Sequence, residues 1–212
     1  KAATYYEELI DVGFDQPNIY LNVKNDYLAT EDTAKAIDLM ERAYQKYPDT
    51  MNVVANLVDL YIVTDQSDKG LNLVNDVIEN QPDEGTLYYW KGRILMNSGK
   101  ENAIESALES YQKAIEKDPE LYYVYFDIGY IYFLQGQDIF NQAGLEKDLE
   151  RRKQINQIAT EKYEQALPML NKALEMNDQS NQIKRETLDV LKRIYYKLGM
   201  EEKYNEVTQE LN

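Results

Sequence analysis

Residues 85–121 decide the fold, and they read GTLYYWKGRILMNSGKENAIESALESYQKAIEKDPEL. Apolar residues recur every three or four positions in two runs, and Pro119 follows the second run. This period predicts two amphipathic helices, the second of which ends before the proline because proline cannot continue a helix. Small residues in each run, Gly92 and Ala107, allow two backbones to approach closely. The stretch therefore predicts a tightly crossed helical hairpin.

The same pattern recurs along the chain at a nearly constant period. Pro48, Pro82 and Pro119 lie 34 and 37 residues apart, and each closes a helical run. Such a period indicates stacked supersecondary units. We therefore predict an all-α superhelix, a solenoid that forms a single domain over residues 1–212. Its predicted units are a truncated repeat helix at 1–16 (helical over 2–12), repeats at 17–50, 51–84 and 85–121, a repeat with a long insertion at 122–180, and a capping repeat at 181–212. The lone first helix predicts an array that was cut from a longer one.

These units resemble the tetratricopeptide repeat (TPR) family, in which small and aromatic residues recur at fixed places of a unit of about 34 residues. The matching residues of 85–121 are Tyr88, Gly92, Leu95, Ala107, Tyr111, Ala114 and Pro119. Those of 17–50 are Tyr20, Val23, Tyr27, Ala36, Met40, Ala43 and Pro48, and those of the fourth repeat's first helix are Tyr125, Ile128, Gly129 and Tyr132. The resemblance implies a non-catalytic scaffold that binds a protein or peptide partner.

The fourth repeat is longer than the family pattern. Tyr132 and Ala166 occupy positions that are roughly nine residues apart in the family, and here they are 34 apart. The extra segment, about 135–159, keeps helical periodicity. We predict a long helical hairpin that protrudes from the solenoid, with a turn at Gly144 and a second helix over 146–176. This hairpin either packs on its neighbours or acts as a docking arm that joins a homo-oligomer.

The resemblance also implies where a partner binds, because TPR proteins contact ligands through five positions of each first helix. Four aromatic residues of the fourth repeat are spaced by 3, 4 and 3 residues, which places their rings on one helix face. They are Tyr123, Phe126, Tyr130 and Phe133. The earlier repeats contribute Asn25, Asn56, Asp59, Tyr89, Arg93 and Met96. We predict that these residues line a concave groove for an extended peptide or an amphipathic helix. Alternatively, the hairpin or a tight superhelix covers the rings.

Two of these residues also match a carboxylate clamp with which some TPR proteins hold the C-terminus of a chaperone. Asn25 and Asn56 fill its asparagine positions, but the clamp also needs lysine and arginine. The corresponding positions here hold Leu21, Thr86 and Trp90. Because a carboxylate would lack charge-assisted partners, the sequence argues against this mode.

Composition argues against several other function classes. The chain has 38 acidic and 23 basic residues, and its net charge of −15 repels the phosphates of a nucleic acid. It contains neither cysteine nor histidine, so the usual zinc ligands and the usual general base are missing. We therefore expect no metal, no cofactor and no enzymatic activity. The apolar runs are far shorter than the ~20 residues of a membrane helix, so we expect no membrane span.

The C-terminal part carries a second, more local resemblance. Residues 163–204 contain ALPMLNKALEMN and LKRIYYKLGMEEKY, and they are similar to a bacterial group of TPR proteins, many of which are exported. This resemblance implies a periplasmic or surface-associated protein of the cell envelope, with the cytoplasm as the alternative. Two functions stay open: a scaffold that binds a peptide or helix, and a structural envelope protein that self-associates through the hairpin at 137–159.

Overall fold

The structure is a computed structural model that describes residues 16–176 and 181–211, together with residues 5, 8, 10, 12 and 13. Every regular element in these residues is helical. The helices are α1 (Pro17–Ala29), α2 (Thr33–Lys46), α3 (Met51–Val63), α4 (Ser67–Asn80), α5 (Gly85–Met96), α6 (Ala103–Lys117), α7 (Tyr122–Leu145), α8 (Leu149–Met176), α9 (Asn181–Lys197) and α10 (Glu201–Leu211). The predicted all-α solenoid is confirmed. The helix predicted over 2–12 lies mostly outside the described residues.

The first compact unit, Lys1–Lys117, contains α1 to α6. Each of these helices packs against the next, and the first helices α1, α3 and α5 also pack against one another in order. The side chains at the centre of this stack are almost fully buried, and they include Val23, Met40, Leu57 and Ile94. Each hairpin therefore covers the apolar face of its neighbour, as repeat architectures require.

The turn inside each repeat of this unit contains one non-glycine residue with a left-handed backbone. Glu31, Asp65 and Asn102 have φ angles of 59°, 55° and 61°. They lie 34 and 37 residues apart, which is also the spacing of the three prolines. Aspartate and asparagine tolerate this conformation better than glutamate does. The turn geometry is therefore a property of the repeat, because it is kept even where the residue disfavours it.

Close helix crossing in this unit depends on glycine. A Cβ atom on Gly92 would collide with the ring of Tyr111, which is buried on α6. The predicted crossing of α5 and α6 at Gly92 is thus present, with the Tyr111 ring as its nearest neighbour. Gly70 performs the same role between repeats, because its Cβ would lie 3.2 Å from Cδ1 of Ile94 on α5.

The second compact unit, Asp118–Asn212, contains α7 to α10. Helices α7 and α8 have 24 and 28 residues and pack along each other, and α9 packs against both of them. Two glycines on α7 permit this contact. A Cβ on Gly129 would press on Leu170, and one on Gly136 would press on the ring of Tyr163. The two lengthened helices are therefore present, whereas protrusion of their hairpin from the solenoid stays a prediction.

The turn between α7 and α8 is not at the predicted place. Gly144 is helical, α7 continues to Leu145, and α8 begins at Leu149, three residues later than predicted. The prediction of a turn at Gly144 is wrong because Asp148 supplies the stronger signal. Its Oδ1 accepts a hydrogen bond of 2.9 Å from the backbone N–H of Arg151, which caps the first turn of α8.

Candidate functional site

The first helices of Lys1–Lys117 bring two of the predicted polar residues together. Nη1 of Arg93 on α5 donates a hydrogen bond of 2.8 Å to Oδ1 of Asp59 on α3. The two residues are 34 positions apart, so they occupy the same place in neighbouring repeats. Because the ion pair is exposed, it stabilises the fold by at most about 1 kcal/mol. It does hold both side chains on the face that the first helices share.

A second polar contact lies one repeat earlier. The ammonium of Lys24 on α1 donates a hydrogen bond to Oδ1 of Asn56 on α3. The amide nitrogen of Asn56 in turn donates to the backbone oxygen of Asn52 at 2.7 Å. Burial lowers the pKa of Lys24, while the nearby carboxylate of Asp59 acts in the opposite direction. Asn25 is exposed beside Lys24. Most of the predicted polar residues of this unit are therefore already hydrogen-bonded within the protein.

Tyr89 connects this polar surface to the interior of the unit. The guanidinium of Arg93 lies 5.8 Å from the centroid of the Tyr89 ring, and the rings of Tyr89 and Tyr111 are 5.8 Å apart. Tyr89 and Met96 are both half-buried. We call this surface the polar row, and its members are Lys24, Asn56, Asp59, Tyr89 and Arg93.

In the second unit, rings predicted on one face of α7 form a continuous row. The rings of Phe126 and Tyr130 stack at 5.7 Å with an interplanar angle of 12°, and those of Tyr130 and Phe133 are 6.1 Å apart. We call these three residues the aromatic row. Tyr123 is half-buried, and its ring lies 5.5 Å from that of Tyr122. The helical spacing in the sequence therefore placed the row correctly.

Phe133 departs from the prediction of an open surface. It is only 2% exposed, and its ring lies 6.2 Å from that of Tyr163 on α8. Both rings belong to a core cluster that includes Leu191 and Ile194 of α9. The periodicity of α7 shows which face carries the ring, but the residues that cover it come from helices much further along the chain. Phe133 is therefore a core residue, and its ring also lines a cavity.

That cavity lies among α7, α8, α9 and α10 and has a volume of about 460 Å³. We call it the C-terminal pocket. Its walls contain four rings, three basic side chains, one amide and one carboxylate. They belong to Phe133, Tyr163, Tyr196, Tyr204, Lys192, Arg193, Lys197, Gln137 and Asp189.

The α9 residues of this pocket were not predicted, although the repeat pattern contains the signal. When Arg185 of the capping repeat is aligned with Tyr122, the first residue of the repeat before it, four wall residues fall at the contact positions used for α7. Asp189, Arg193, Tyr196 and Lys197 each lie 63 residues after their α7 equivalents. Applying the five family positions to the capping repeat would therefore have found these four residues, but not Lys192.

The described residues show neither a metal-binding cluster nor a membrane-spanning helix. Acidic side chains do not gather there in a group of three that could hold a metal ion, in a chain without histidine or cysteine. None of the helices α1 to α10 combines the length and the apolar character that crossing a lipid bilayer requires.

The described helices form hairpins that pack in order along the chain. The first helix of each hairpin presents the candidate contact residues. This arrangement defines an α-helical repeat protein. A family model described as "Tetratricopeptide repeat" matches residues 27–94, and one described as "TPR repeat" matches residues 100–136. The chain belongs to the tetratricopeptide repeat family. TPR proteins bind protein partners and are generally non-catalytic, so the chain is a protein–protein interaction scaffold in this general sense.

Solved structures share this fold. TTC0263, a thermophilic TPR protein of Thermus thermophilus, aligns with a TM-score of 0.61 at 15% identity, over 92% of this chain and 90% of its own. MamA from Desulfovibrio magneticus RS-1 aligns with a TM-score of 0.51 at 15% identity, over 80% of this chain and 84% of its own. Another crystal structure of MamA gives 0.53 at 16% identity, over 82% and 89%. No curated protein matches the sequence significantly. At these identities the similarity concerns the fold alone.

Proposed function

We propose that the chain captures an extended peptide or an amphipathic helix of a protein partner on its first-helix faces, principally at the aromatic row. The observation that carries this proposal is the exposure of large apolar groups on α7. Tyr130 is 39% exposed and Leu134 is 40% exposed, and Phe126 is half-buried beside them. Aromatic side chains of this kind are enriched among the residues that dominate binding energy.

The stacking of the row also favours binding. Phe126 and Tyr130 hold each other in place through their nearly parallel rings. Ordering side chains at an interface opposes association, and rings that are already ordered reduce that penalty. The hydroxyl of Tyr130 can stay hydrated at the edge of an interface while its ring is covered. The row therefore suits an apolar side chain of a guest segment.

The polar row is the second contact surface in this proposal. Arg93 and Asp59 neutralise each other, and Tyr89 offers a half-buried ring next to them. A guest that hydrogen-bonds there must match both a donor and an acceptor. This surface therefore contributes selectivity, whereas the aromatic row contributes more of the affinity.

Affinity capture with the intact chain tests the proposal. We expect Tyr130→Ala to reduce recovery of the captured partner at least tenfold, as for a residue that dominates an interface. Tyr89→Ala is expected to reduce recovery less. Leu145→Ala is the matched control, because Leu145 is 84% exposed at the far end of the same helix. Equal recovery by the wild type and both tyrosine variants, with all proteins equally helical by circular dichroism, would contradict the proposal.

Self-association through the hairpin is the second candidate function. Several large apolar side chains of the hairpin are exposed: Phe140 at 39%, Leu145 at 84%, Leu149 at 60% and Ile158 at 48%. Exposed apolar groups in one segment are typical of interaction sites. Light scattering should show an oligomer that deletion of 137–159 converts into a monomer.

Deletion of 137–159 removes buried packing as well as exposed surface. A variant that changes only exposed residues is therefore also needed. Leu145→Glu combined with Leu149→Glu places charge on the exposed tip and leaves the buried residues unchanged. Val63→Glu is the control, because Val63 is 72% exposed in the other unit. An intact chain that remains monomeric at high concentration would rule out self-association.

We also propose a location in the bacterial cell envelope. Its support is the resemblance of residues 163–204 to a group of exported TPR proteins. Fractionation of the native host with an antibody to this chain tests it, with known periplasmic and cytoplasmic proteins as markers. Recovery with the cytoplasmic marker alone would refute this location.

A further inference from the structure

The C-terminal pocket contains basic groups that no described residue neutralises through an ion pair. Lys192, Arg193 and Lys197 form no ion pair with any residue that the structure describes. Asp189 supplies the one carboxylate of the wall, so the lining carries an excess of positive charge. This local excess stands out in a chain whose net charge is −15. It makes the pocket a place where an anion is favoured over a cation.

Aromatic rings hold two of these basic groups in place. The ammonium of Lys197 lies 3.7 Å from the centroid of the Phe140 ring, and that of Lys192 lies 5.8 Å from the centroid of the Tyr204 ring. A cation over a ring keeps its N–H donors available to another acceptor. The rings of Tyr196 and Tyr204 are themselves 6.0 Å apart. The pocket thus combines oriented donors with flat apolar walls.

Tyr163 forms a deeply buried part of the pocket wall. Its side chain is 2% exposed, and its buried hydroxyl has no hydrogen-bond partner among the described residues. Burial raises the pKa of this phenol, so the hydroxyl remains a proton donor at neutral pH. Gly136 lets the Tyr163 ring lie directly on the backbone of α7, which fixes its position. The hydroxyl is inaccessible to solvent, so Tyr163 contributes its ring rather than its hydroxyl to the pocket wall.

We propose that the C-terminal pocket binds a small aromatic carboxylate. The carboxylate would accept hydrogen bonds from Arg193 and Lys197, and the ring would lie against Phe133 and Tyr196. The volume of about 460 Å³ falls within the range of small-molecule sites. This site adjoins the aromatic row, because Phe133 belongs to both, but it takes a small molecule instead of a segment of a protein partner.

Isothermal titration calorimetry of the full chain with naphthalene-2-carboxylate tests this inference. We expect saturable binding with one site per chain. The neutral naphthalene-2-carboxamide has the same ring and shape, and it should bind at least about tenfold more weakly because charge-assisted hydrogen bonds are the stronger ones. An acetylated tripeptide with a C-terminal phenylalanine is the third probe, and it should bind more weakly than naphthalene-2-carboxylate, because its carboxylate is attached to a larger and more flexible chain.

Variants of the wall locate the bound probe. Arg193→Gln and Lys197→Met should each weaken naphthalene-2-carboxylate roughly fivefold to tenfold. Lys172→Gln is the matched control, because Lys172 is exposed on α8 outside the pocket and should leave binding unchanged. The inference is overturned by lack of saturable binding, by equal binding of the carboxamide, by binding of the tripeptide alone, or by wall variants that behave like the control.

Discussion

Arg93 in the first unit and Arg193 in the second occupy the same position of their repeats but have different surroundings. Arg93 is paired with Asp59 at 2.8 Å, whereas Arg193 lies in a pocket wall and forms no ion pair within the described residues. The polar row is therefore satisfied by its own side chains, and the C-terminal pocket keeps unused donors. The repeat position determines where a side chain is presented, and the neighbouring repeat determines whether it is available to a ligand.

The largest expected effect concerns stability. In each unit a glycine lets a buried aromatic ring pack against the backbone of a helix. Gly92→Ala and Gly136→Ala should each lower the free energy of unfolding by about 2–3 kcal/mol, because a methyl group would collide with the buried rings of Tyr111 and Tyr163. Gly144→Ala is the control, since its Cβ would meet nothing within 4 Å. It should raise stability by about 0.5 kcal/mol through helix propensity. Urea unfolding followed by circular dichroism measures all three, and equal effects at the three sites would refute the packing argument.

The next test compares a paired hydroxyl with an unpaired one. The hydroxyl of Tyr61 donates to Oε1 of Glu41 at 2.8 Å, and that of Tyr163 has no described partner. Tyr61→Phe should therefore destabilise the protein by about 1 kcal/mol, whereas Tyr163→Phe should be neutral or stabilise it by up to about 1 kcal/mol. Thermal and urea unfolding give the two signs. A loss of stability in both variants would mean that Tyr163 has a partner in solution.

A smaller effect depends on pH. Burial acts to raise the pKa of Glu41, but hydrogen bonds from Lys69 and Tyr61 outweigh it and hold the pKa below its ordinary value of 4.5. A carboxyl with a lowered folded pKa stabilises the fold above its unfolded pKa, and this contribution is lost as the pH falls through the folded pKa. Glu41→Gln should therefore cost less than about 1 kcal/mol at pH 7. The difference from the wild type in urea unfolding should shrink as the pH falls below 4.5, and a constant difference would exclude this linkage.

The smallest predicted effect belongs to the exposed ion pair. A double-mutant cycle of Asp59→Asn and Arg93→Gln should show a coupling of about 0.2–1 kcal/mol that largely disappears in 1 M salt. Arg193→Gln alone should change stability by less than about 0.5 kcal/mol, because no described pair is lost. A coupling that persists in high salt would indicate that Asp59 and Arg93 are less exposed in solution.

Much of the fold could be predicted because local signals repeat. The proline at 119 separates α6, which ends at Lys117, from α7, which begins at Tyr122, and the small residue at 92 marks a real crossing. The prediction placed the turn after α7 at Gly144 and gave no role to Asp148, which caps α8. A glycine tolerates a helix at a small penalty, whereas an aspartate that caps a helix satisfies a backbone donor.

The site was less accessible to sequence reasoning than the fold. Spacing alone placed the rings of α7 on one face and put Asp59 and Arg93 in equivalent positions. It could not show that those two side chains pair, because pairing depends on the distance between stacked helices. Nor could it show that Tyr163 covers Phe133, since that contact joins residues 30 positions apart across an insertion of unknown path. Burial and pairing are tertiary properties, and the periodicity of one helix does not contain them.

The way the helices of the first unit contact one another has a consequence for cooperativity. In its described part, helix packing links only helices one or two places apart. Such an array behaves as a linear chain of coupled segments, which can open from its ends while its middle stays intact. Amide hydrogens of α3 and α4 should therefore exchange with solvent more slowly than those of α1. A guest that contacts α3 and α5 together would slow exchange mainly in the repeats it joins.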